Sequence, residues 1–303
     1  MKFFKEVYKN KVLLLMTLPV TVLLILLNYC PMFGALMAFQ DFKAYKGFFG
    51  SEWVGFKNFE FLFKTSDAWI ITRNTLCYNL VFIILGAILA VILAIIFDLL
   101  GKTRLNTTNQ ILVLFPHFIS WVVGSYFVYT ILSFDKGILN GIIEFFGGTP
   151  VNWYNKPEAW PFILPIAHFW KGIGYSSIIY YSSIKGISLD YYEAAKIDGA
   201  GWFQQVRYIT VPMLKSIVIV MLILNMGSVF RSDFGLFYLV TRNSGALYNV
   251  TSTIDTYVYN GLTQGSNLGM TAATGLYQSV VACILVITTN AIVRKISPED
   301  AMF

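Results

Sequence analysis

The sequence predicts an all-α, polytopic membrane protein with six transmembrane helices, because its composition is strongly apolar and its apolar residues fall in long runs. Of 303 residues, 56% are hydrophobic and only 13% are charged, whereas soluble domains usually carry roughly 25% charged residues. The mean hydropathy is +0.64. This composition excludes a soluble enzyme. The low charge and the three cysteines also exclude a disordered or disulfide-stapled chain.

Six stretches are long enough to cross a bilayer, which takes about 20 apolar residues in a helix. They cover residues 12–37, 70–98, 110–134, 159–184, 215–238 and 268–293. We predict that the first is an uncleaved anchor, since no small-residue cleavage site follows it. The fifth has an ambiguous outer end, because Arg231 and Asp233 interrupt it. No internal repeat or linker divides the chain, so we predict one transmembrane domain over residues 1–303.

The loops differ in their content of lysine and arginine, and this difference orients the predicted helices. Twelve basic residues lie on the side of the N-terminus and eight on the other side. The twelve include Lys2, Lys5, Lys9 and Lys11. Because basic residues concentrate in cytoplasmic loops, we predict that both termini are cytoplasmic. The net charge of +6 then reflects membrane topology, and no nucleic-acid partner is expected.

The longest predicted cytoplasmic loop, residues 186–214, contains a short helix whose ends are marked by sequence. Asp190 is predicted to cap it, with Glu193 three residues later in capping-box spacing. Gly199 is predicted to end it in the left-handed conformation. The sequence therefore predicts a short capped helix across the cytoplasmic end of the bundle.

The same loop resembles the EAA loop of ABC importer permeases. Glu193-Ala194-Ala195 is followed after three residues by Gly199 and after nine more by Ile209-Thr210-Val211-Pro212. The one departure is Val211, where the family usually has leucine. The string from Tyr192 to Ala200 resembles the carbohydrate-importer branch. Residues 38–42 and 53–59 resemble permeases for oligo- and polysaccharides, so the resemblance covers nearly the whole chain.

The resemblance implies the ABC type I importer permease fold and a multi-pass protein of the bacterial cell membrane, similar to maltose-type permeases. Such a subunit is not an enzyme and has no catalytic residue. ATP and Mg are bound by a separate ATPase, and this chain holds no cofactor or metal. The residues implied to contact the ATPase are Glu193, Ala194, Ala195, Asp198 and Gly199. The implied partners are a dimer of ATPase subunits, a second and related permease chain, membrane lipid, and a lipid-anchored extracellular binding protein that delivers an oligosaccharide or polysaccharide.

Polar residues within the apolar helices predict the substrate path, because they are unfavourable in lipid. The fourth and fifth predicted helices each carry a mostly polar stripe at i, i+3, i+4 and i+7, which is one helical face; Gly172 and Val229 are its members without a polar side chain. By resemblance, these positions fall where maltose-type permeases line their substrate site. The candidates are Trp121, His168, Lys171, Gly172, Tyr175, Asn225, Ser228, Val229 and Ser232. We expect Tyr175 and Asn225 to face one cavity, although asparagine and serine also serve as contacts between membrane helices.

Two other functions remain open at this point. An importer permease for another solute, such as a glycerol phosphate, would use Lys171 and Arg231 as a cationic path. A stand-alone secondary transporter or an intramembrane enzyme would need carboxylates within the membrane. None of the six predicted helices has Asp or Glu in its central part. Arg231 and Asp233 could form an ion pair at the outer mouth.

Overall fold

The computed structural model describes residues 9–264 and 267–296, and nearly all of its regular secondary structure is helical. The all-α prediction is therefore confirmed. Lys2 and Lys5, which contributed to the predicted orientation, lie outside the described residues. The described part of the chain falls into two compact units, one within residues 1–64 and 260–277, the other within residues 65–259 and 278–303. The single domain over residues 1–303 stays a prediction.

The smaller unit contains one long apolar helical segment followed by a two-stranded hairpin. The segment comprises α1 (Lys11–Leu24), a π-helical turn (Ile25–Tyr29) and a 3₁₀ helix (Cys30–Phe39). The elements that follow are β1 (Gln40–Asp41), α2 (Gly47–Gly50), β2 (Glu52–Trp53), a 3₁₀ helix (Lys57–Phe59) and α3 (Phe61–Lys64). β1 and β2 pair antiparallel. The buried amide of Asn58 donates to the carbonyls of Ala38 and Gln40 at 3.0 and 2.9 Å, which joins this loop to the end of the helical segment.

From residue 65 onward the chain forms a series of helices of very different lengths. They are α4 (Ser66–Leu99), α5 (Arg104–Leu114), α6 (Trp121–Leu132), α7 (Ile138–Phe145), α8 (Trp160–Lys185), α9 (Leu189–Ile197), α10 (Trp202–Gln205), α11 (Val211–Met213), α12 (Lys215–Met226), α13 (Tyr248–Thr251), α14 (Ile254–Thr263) and α15 (Leu268–Ile296). Short 3₁₀ helices cover Phe115–Phe118, Trp153–Asn155, Pro157–Ala159 and Gly245–Leu247. π-helical turns cover Val206–Thr210 and Gly235–Val240.

Within the described residues, three helical segments are long and apolar enough to cross a membrane, and two bent pairs would raise the number to five if each pair were one span. The three are Lys11–Phe39, Ser66–Leu99 and Leu268–Lys295. α8 is not among them, although its 26 residues extend about 39 Å at the usual helical rise. That length exceeds the roughly 30 Å of a hydrocarbon core. The six-helix count and the cytoplasmic termini stay predictions.

The prediction of one continuous helix over residues 110–134 is wrong. The chain instead forms a helical stretch Arg104–Phe118 and α6, which are bent by 104°. Pro116 lies in the last, 3₁₀ turn of the first stretch, where its missing N–H and its ring disfavour a continuing α-helix. Ser120 then starts α6 as its N-cap by accepting from the N–H of Val123 at 3.4 Å.

The prediction of one continuous helix over residues 215–238 is also wrong for the part that follows Met226. α12 ends at Met226, residues 227–230 form turns, residues 231–233 have no regular structure, and a π-helical turn begins at Gly235. At its N-terminal end, α12 is bent by 52° from the helical stretch Trp202–Met213, which contains Pro212. The break after Met226 lies beside α4 and α8, and its contacts define the candidate path described below.

The core of the larger unit lies where α4, α8 and the turn Gly235–Val240 meet. Trp160, Leu164, Leu236 and Val240 are fully buried there. α8 also comes very close to the end of α5, because Gly174 packs against its backbone. A Cβ on Gly174 would overlap the carbonyl of Val113. Glycine is required here by close approach of two helices rather than by backbone conformation.

Candidate functional site

The short helix α9 directly follows α8, and its C-terminal end forms a Schellman motif. The N–H of Ala200 donates to the carbonyl of Ala195 at 2.8 Å, and that of Gly199 donates to Lys196 at 3.0 Å. Gly199 has φ +81°, so the predicted left-handed residue is confirmed. A Cβ at Gly199 would meet nothing within 4 Å. Backbone conformation alone therefore requires glycine at this position.

The N-terminal end of α9 differs from the predicted capping box. Its N-cap is Ser188, whose hydroxyl accepts from the N–H of Asp190 at 3.3 Å. Asp190 itself lies in the first turn, where a carboxylate interacts favourably with the helix dipole. The assignment of Asp190 as the cap, with Glu193 at N3, is therefore wrong. Ser188 and Asp190 are both good capping residues, and the turn after α8 places the serine first.

The five residues implied to contact an ATPase lie together on α9 and its C-terminal turn. Four are exposed, namely Glu193, Ala194, Asp198 and Gly199, and Ala195 is partly buried. The neighbouring Ile197 and Leu189 are 87% and 71% exposed. α9 therefore presents small and apolar side chains that the described parts of this chain leave exposed.

α9 is held to the rest of the unit from its opposite side. The hydroxyl groups of Tyr192 and Thr210 are hydrogen-bonded at 2.9 Å, and this bond connects α9 to the turn that leads into the fifth predicted helix. The last residue of α8, Lys185, forms an ion pair with Asp98 near the end of α4 at 2.6 Å. α9 is thus attached at its far side to the elements that lead into the bundle.

The break after α12 is stabilised by amide side chains that bind its free carbonyls. Asn79 on α4 donates to the carbonyls of Val229 and Arg231 at 2.8 and 3.2 Å. Gln278 on α15 donates to Phe230 at 2.5 Å. Because backbone groups in lipid need partners, an unwound segment is tolerated only where protein or water satisfies it. Asn79 and Gln278 are the hydrogen-bond partners of the free carbonyls in this segment.

Two carboxylates complete the network around the break. Asp255 accepts from the N–H and the hydroxyl of Ser232 at 2.6 and 2.7 Å. Asp233 accepts from Nε1 of Trp121 at 2.5 Å. The three ion pairs among the described residues do not include one between Arg231 and Asp233, so the predicted pair is wrong. The indole of Trp121, placed at the start of α6 by the bend, takes the carboxylate instead.

A cavity of about 170 Å³ lies beside the break, between α4, α8 and α12. It is lined by four of the predicted pathway residues, His168, Gly172, Asn225 and Ser228. It is also lined by Asn79 and Ser176, which sequence reasoning missed. The Phe82 ring, which also lines the cavity, stacks on His168 with 3.9 Å between ring centroids.

The structure separates the remaining predicted pathway residues from this cavity. Lys171 donates to the carbonyl of His117 at 2.9 Å, and the Tyr175 ring stacks on the His117 imidazole at 4.5 Å. Val229 is buried. The polar face of α8 is thus divided between two neighbours, with His168 and Gly172 toward the cavity. Tyr175 does not line the cavity that Asn225 lines.

Trp121 and Ser232, the last two candidates, have structural contacts around the break. Trp121 packs so tightly on the π-helical turn that a Cβ on Gly235 would overlap its indole. Ser232 also shares a hydrogen bond of 2.7 Å with Thr253. Asn79 and Gln278 could have been found from sequence, since each is a polar side chain within a strongly apolar helix.

Comparison with known proteins gives concordant matches. The profile of the family described as "Binding-protein-dependent transport system inner membrane component" matches residues 83–298. The polygalacturonan/rhamnogalacturonan transport system permease protein YteP of Bacillus subtilis (strain 168) is 34% identical over 97% of this chain and 91% of its own.

Two solved structures match over almost their whole length. One is a bacterial ABC transporter involved in the import of the acidic polysaccharide alginate, with TM-score 0.89 and 28% identity over 98% of this chain and 100% of that chain. The other is a bacterial alginate ABC transporter in complex with an alginate pentasaccharide-bound periplasmic protein. It has TM-score 0.88 and 27% identity over 98% and 99% of the two chains.

Proposed function

The chain belongs to the family of inner membrane components of binding-protein-dependent transport systems, and from this premise we propose that it forms part of the path of an ABC importer for an oligosaccharide or polysaccharide. The similar proteins are a permease for polygalacturonan and rhamnogalacturonan and a transporter of alginate. The chain supplies the membrane-spanning part, and its partners supply the energy and the substrate.

The observation that carries this proposal is the geometry of α9. The helix is closed by a Schellman motif, exposes Glu193 and Ala194, and is hydrogen-bonded on its other side through Tyr192. Small side chains allow a partner's backbone to approach closely. A short, capped helix that is attached to the bundle through one side moves with the bundle as one body. α9 therefore has the properties needed to transmit closure of an ATPase dimer, which binds ATP and Mg, to the membrane helices.

The cavity beside the break is proposed as this chain's share of the substrate path. Its volume of about 170 Å³ is below the roughly 300–1,000 Å³ of most small-molecule sites. Asn225 and Ser228 line it and are exposed on this chain. A second, related permease subunit would cover these two residues and complete the path between the two chains. The substrate would arrive from an extracellular binding protein at the bacterial cell membrane.

The glycerol phosphate alternative receives less support from the contacts. It relies on Lys171 as a cation in the path, but the Lys171 ammonium donates to a backbone carbonyl and does not line the cavity. Amide, hydroxyl and aromatic groups predominate around the cavity, and these groups bind neutral hydroxyls and sugar rings.

We predict that Asn225→Ala lowers sugar uptake by about tenfold, because a lost hydrogen bond in a path is worth on the order of 1.4 kcal/mol. The measurement is ATP-dependent uptake of a labelled oligogalacturonide by vesicles that contain the complete importer and its binding protein. Ser182→Ala is the matched control, since Ser182 is an exposed α8 residue whose hydroxyl donates to the carbonyl of Ile178 in its own helix.

The control variant should transport at the wild-type rate. If Asn225→Ala takes up sugar at the wild-type rate, the cavity is not part of the substrate path. Failure of the wild-type complex to import any oligo- or polysaccharide would contradict the proposed function itself.

A further inference from the structure

A second cavity, here called the Arg242 pocket, lies between α6 and the turn that follows Val240, and has a volume of about 320 Å³. Its polar lining residues are Ser125, Tyr126, Tyr129, Tyr238, Arg242 and Asn243. This volume is within the range of about 300–1,000 Å³ of small-molecule sites. The cavity beside the break shares none of these residues.

The guanidinium of Arg242 lies over the ring of Tyr129. Its Cζ lies 4.3 Å from the centroid of the Tyr129 ring. The Tyr129 ring is 6.0 Å from that of Tyr154, whose hydroxyl donates to the Val240 carbonyl at 3.3 Å. A guanidinium carries five N–H donors, and its attraction to an aromatic ring is electrostatic and does not need all of them. Arg242 can therefore still bind a carboxylate through two parallel hydrogen bonds.

The backbone that carries Arg242 has an unusual conformation. Arg242 and Asn243 have φ values of +56° and +47°, and they are the two non-glycine residues with positive φ in the described ranges. The turn is closed by the N–H of Asn243, which donates to Tyr238 at 3.0 Å. Asparagine adopts this conformation more readily than arginine does. Such backbone is retained where its surroundings enforce it, and it is concentrated at ligand sites.

The positive charge of Arg242 has no ion-pair partner among the residues that the structure describes. Their ion pairs join Lys43 to Asp41, Lys64 to Glu60 and Lys185 to Asp98, and none includes Arg242. Arg242 is exposed. An exposed arginine on tyrosine rings, beside further hydroxyl and amide groups, is complementary to an anion that also carries an apolar ring face.

The pocket lies at the end of α8 opposite to α9. Tyr154, beneath the Tyr129 ring, packs on Trp160, the first residue of α8, with 5.2 Å between ring centroids. α9 follows the last residue of α8, about 39 Å away at the helical rise per residue. With α9 at the cytoplasmic ATPase, the Arg242 pocket faces the side from which substrate is delivered.

We propose that the Arg242 pocket binds a uronic acid unit of an incoming acidic oligosaccharide. This inference rests on the proposed function and adds the chemical class of the substrate. Arg242 receives the sugar carboxylate, and the tyrosine rings contact the C–H face of the sugar. The acidic polysaccharide alginate, imported by the similar transporter of known structure, has this chemistry. A neutral sugar lacks the charged contact.

The test measures direct binding of trigalacturonate, and of its fully methyl-esterified form, to the complete complex in nanodiscs by calorimetry, without binding protein. Arg242→Gln should weaken trigalacturonate binding about tenfold, the usual effect of losing a hydrogen bond to a charged group. It should leave the affinity for the ester as in the wild type. Arg242→Lys should restore part of the loss, since lysine keeps the charge without the planar fork.

The matched control is Lys156→Gln, which removes a cation that lies 6.0 Å from the Trp153 ring and does not line the pocket. Trigalacturonate should bind this variant as it binds the wild type. Any of three results overturns the proposal: the wild type binds trigalacturonate and its ester equally, the wild type does not bind trigalacturonate at all, or Arg242→Gln binds trigalacturonate as the wild type does. If one of these results is found and the complex still takes up neutral oligosaccharides, the inference about the Arg242 pocket is refuted but the proposed function is not. Arg242-dependent binding without any saccharide uptake refutes the proposed function instead.

Discussion

Replacing Gly199 by valine is expected to lower substrate-stimulated ATP hydrolysis of the reconstituted importer by about tenfold or more, because the left-handed conformation costs an L-residue roughly 1–2 kcal/mol. Gly199 has φ +81° and closes the Schellman motif at the end of α9. Valine would shift this turn and with it the orientation of α9 toward its partner. The measurement is ATPase activity of the complex in vesicles, with and without substrate-loaded binding protein.

Two variants sharpen this test. Gly199→Ala, which is less restricted than valine, should give an intermediate loss. Gly201→Ala is the matched control, because Gly201 is two residues away and has an ordinary φ of −70°. Full stimulation and full uptake in Gly199→Val would mean that the turn after α9 does not need its conformation and that the loop is only a connector.

Replacing Gly174 by alanine is expected to reduce assembly of the protein strongly. The added Cβ would overlap the backbone carbonyl of Val113 and lie 2.9 Å from the nitrogen of Leu114. Backbone atoms cannot rotate away as a side chain can, so α8 and α5 must separate. Overpacking of this kind costs about 1–3 kcal/mol. The measurement is the amount of monodisperse complex recovered in detergent before and after mild heating.

Gly172→Ala is the matched control for this substitution. Gly172 is on the same helix two residues earlier, and a Cβ there would meet nothing within 4 Å. It should assemble as the wild type does. If Gly174→Ala and Gly172→Ala are recovered equally and resist heating equally, the close approach of α8 to α5 does not contribute to stability.

The parts of the fold that depend on local residues were predictable from the sequence. Long apolar runs predicted the helical segments Lys11–Phe39, Ser66–Leu99 and Leu268–Lys295. The left-handed turn at Gly199 was predictable because few other residues adopt it without strain. The N-cap of α9 was assigned wrongly, since Ser188 and Asp190 are both capable caps and only the turn after α8 distinguishes them.

The breaks in the third and fifth predicted helices could not be predicted in the same way. The apolar run continues across Ser120, so hydropathy gives no signal at the first break. Arg231 and Asp233 make the end of the fifth predicted helix ambiguous, but the helix already ends at Met226, where no charged residue marks the break. The second break is stabilised by Asn79, Gln278 and Asp255, which lie far away in sequence. His168 and Tyr175 were predicted to lie on one polar face of α8, but His168 stacks on Phe82 and Tyr175 stacks on His117. Which neighbour each ring contacts depends on the tertiary structure and has no local signal.

Site-directed cross-linking would detect the proposed contact between α9 and the ATPase subunit. Ala194→Cys would be introduced after Cys30, Cys77 and Cys283, all exposed, are replaced by serine. The control is Lys136→Cys, an exposed position between α6 and α7 that is predicted to lie outside. A short reagent with one thiol-reactive and one photoreactive end should join position 194 to the ATPase subunit in native membranes, with a yield that changes on adding ATP, and should leave position 136 unlinked to it. Absence of a cross-link at 194, or equal cross-linking from both positions, would mean that α9 does not contact the ATPase subunit.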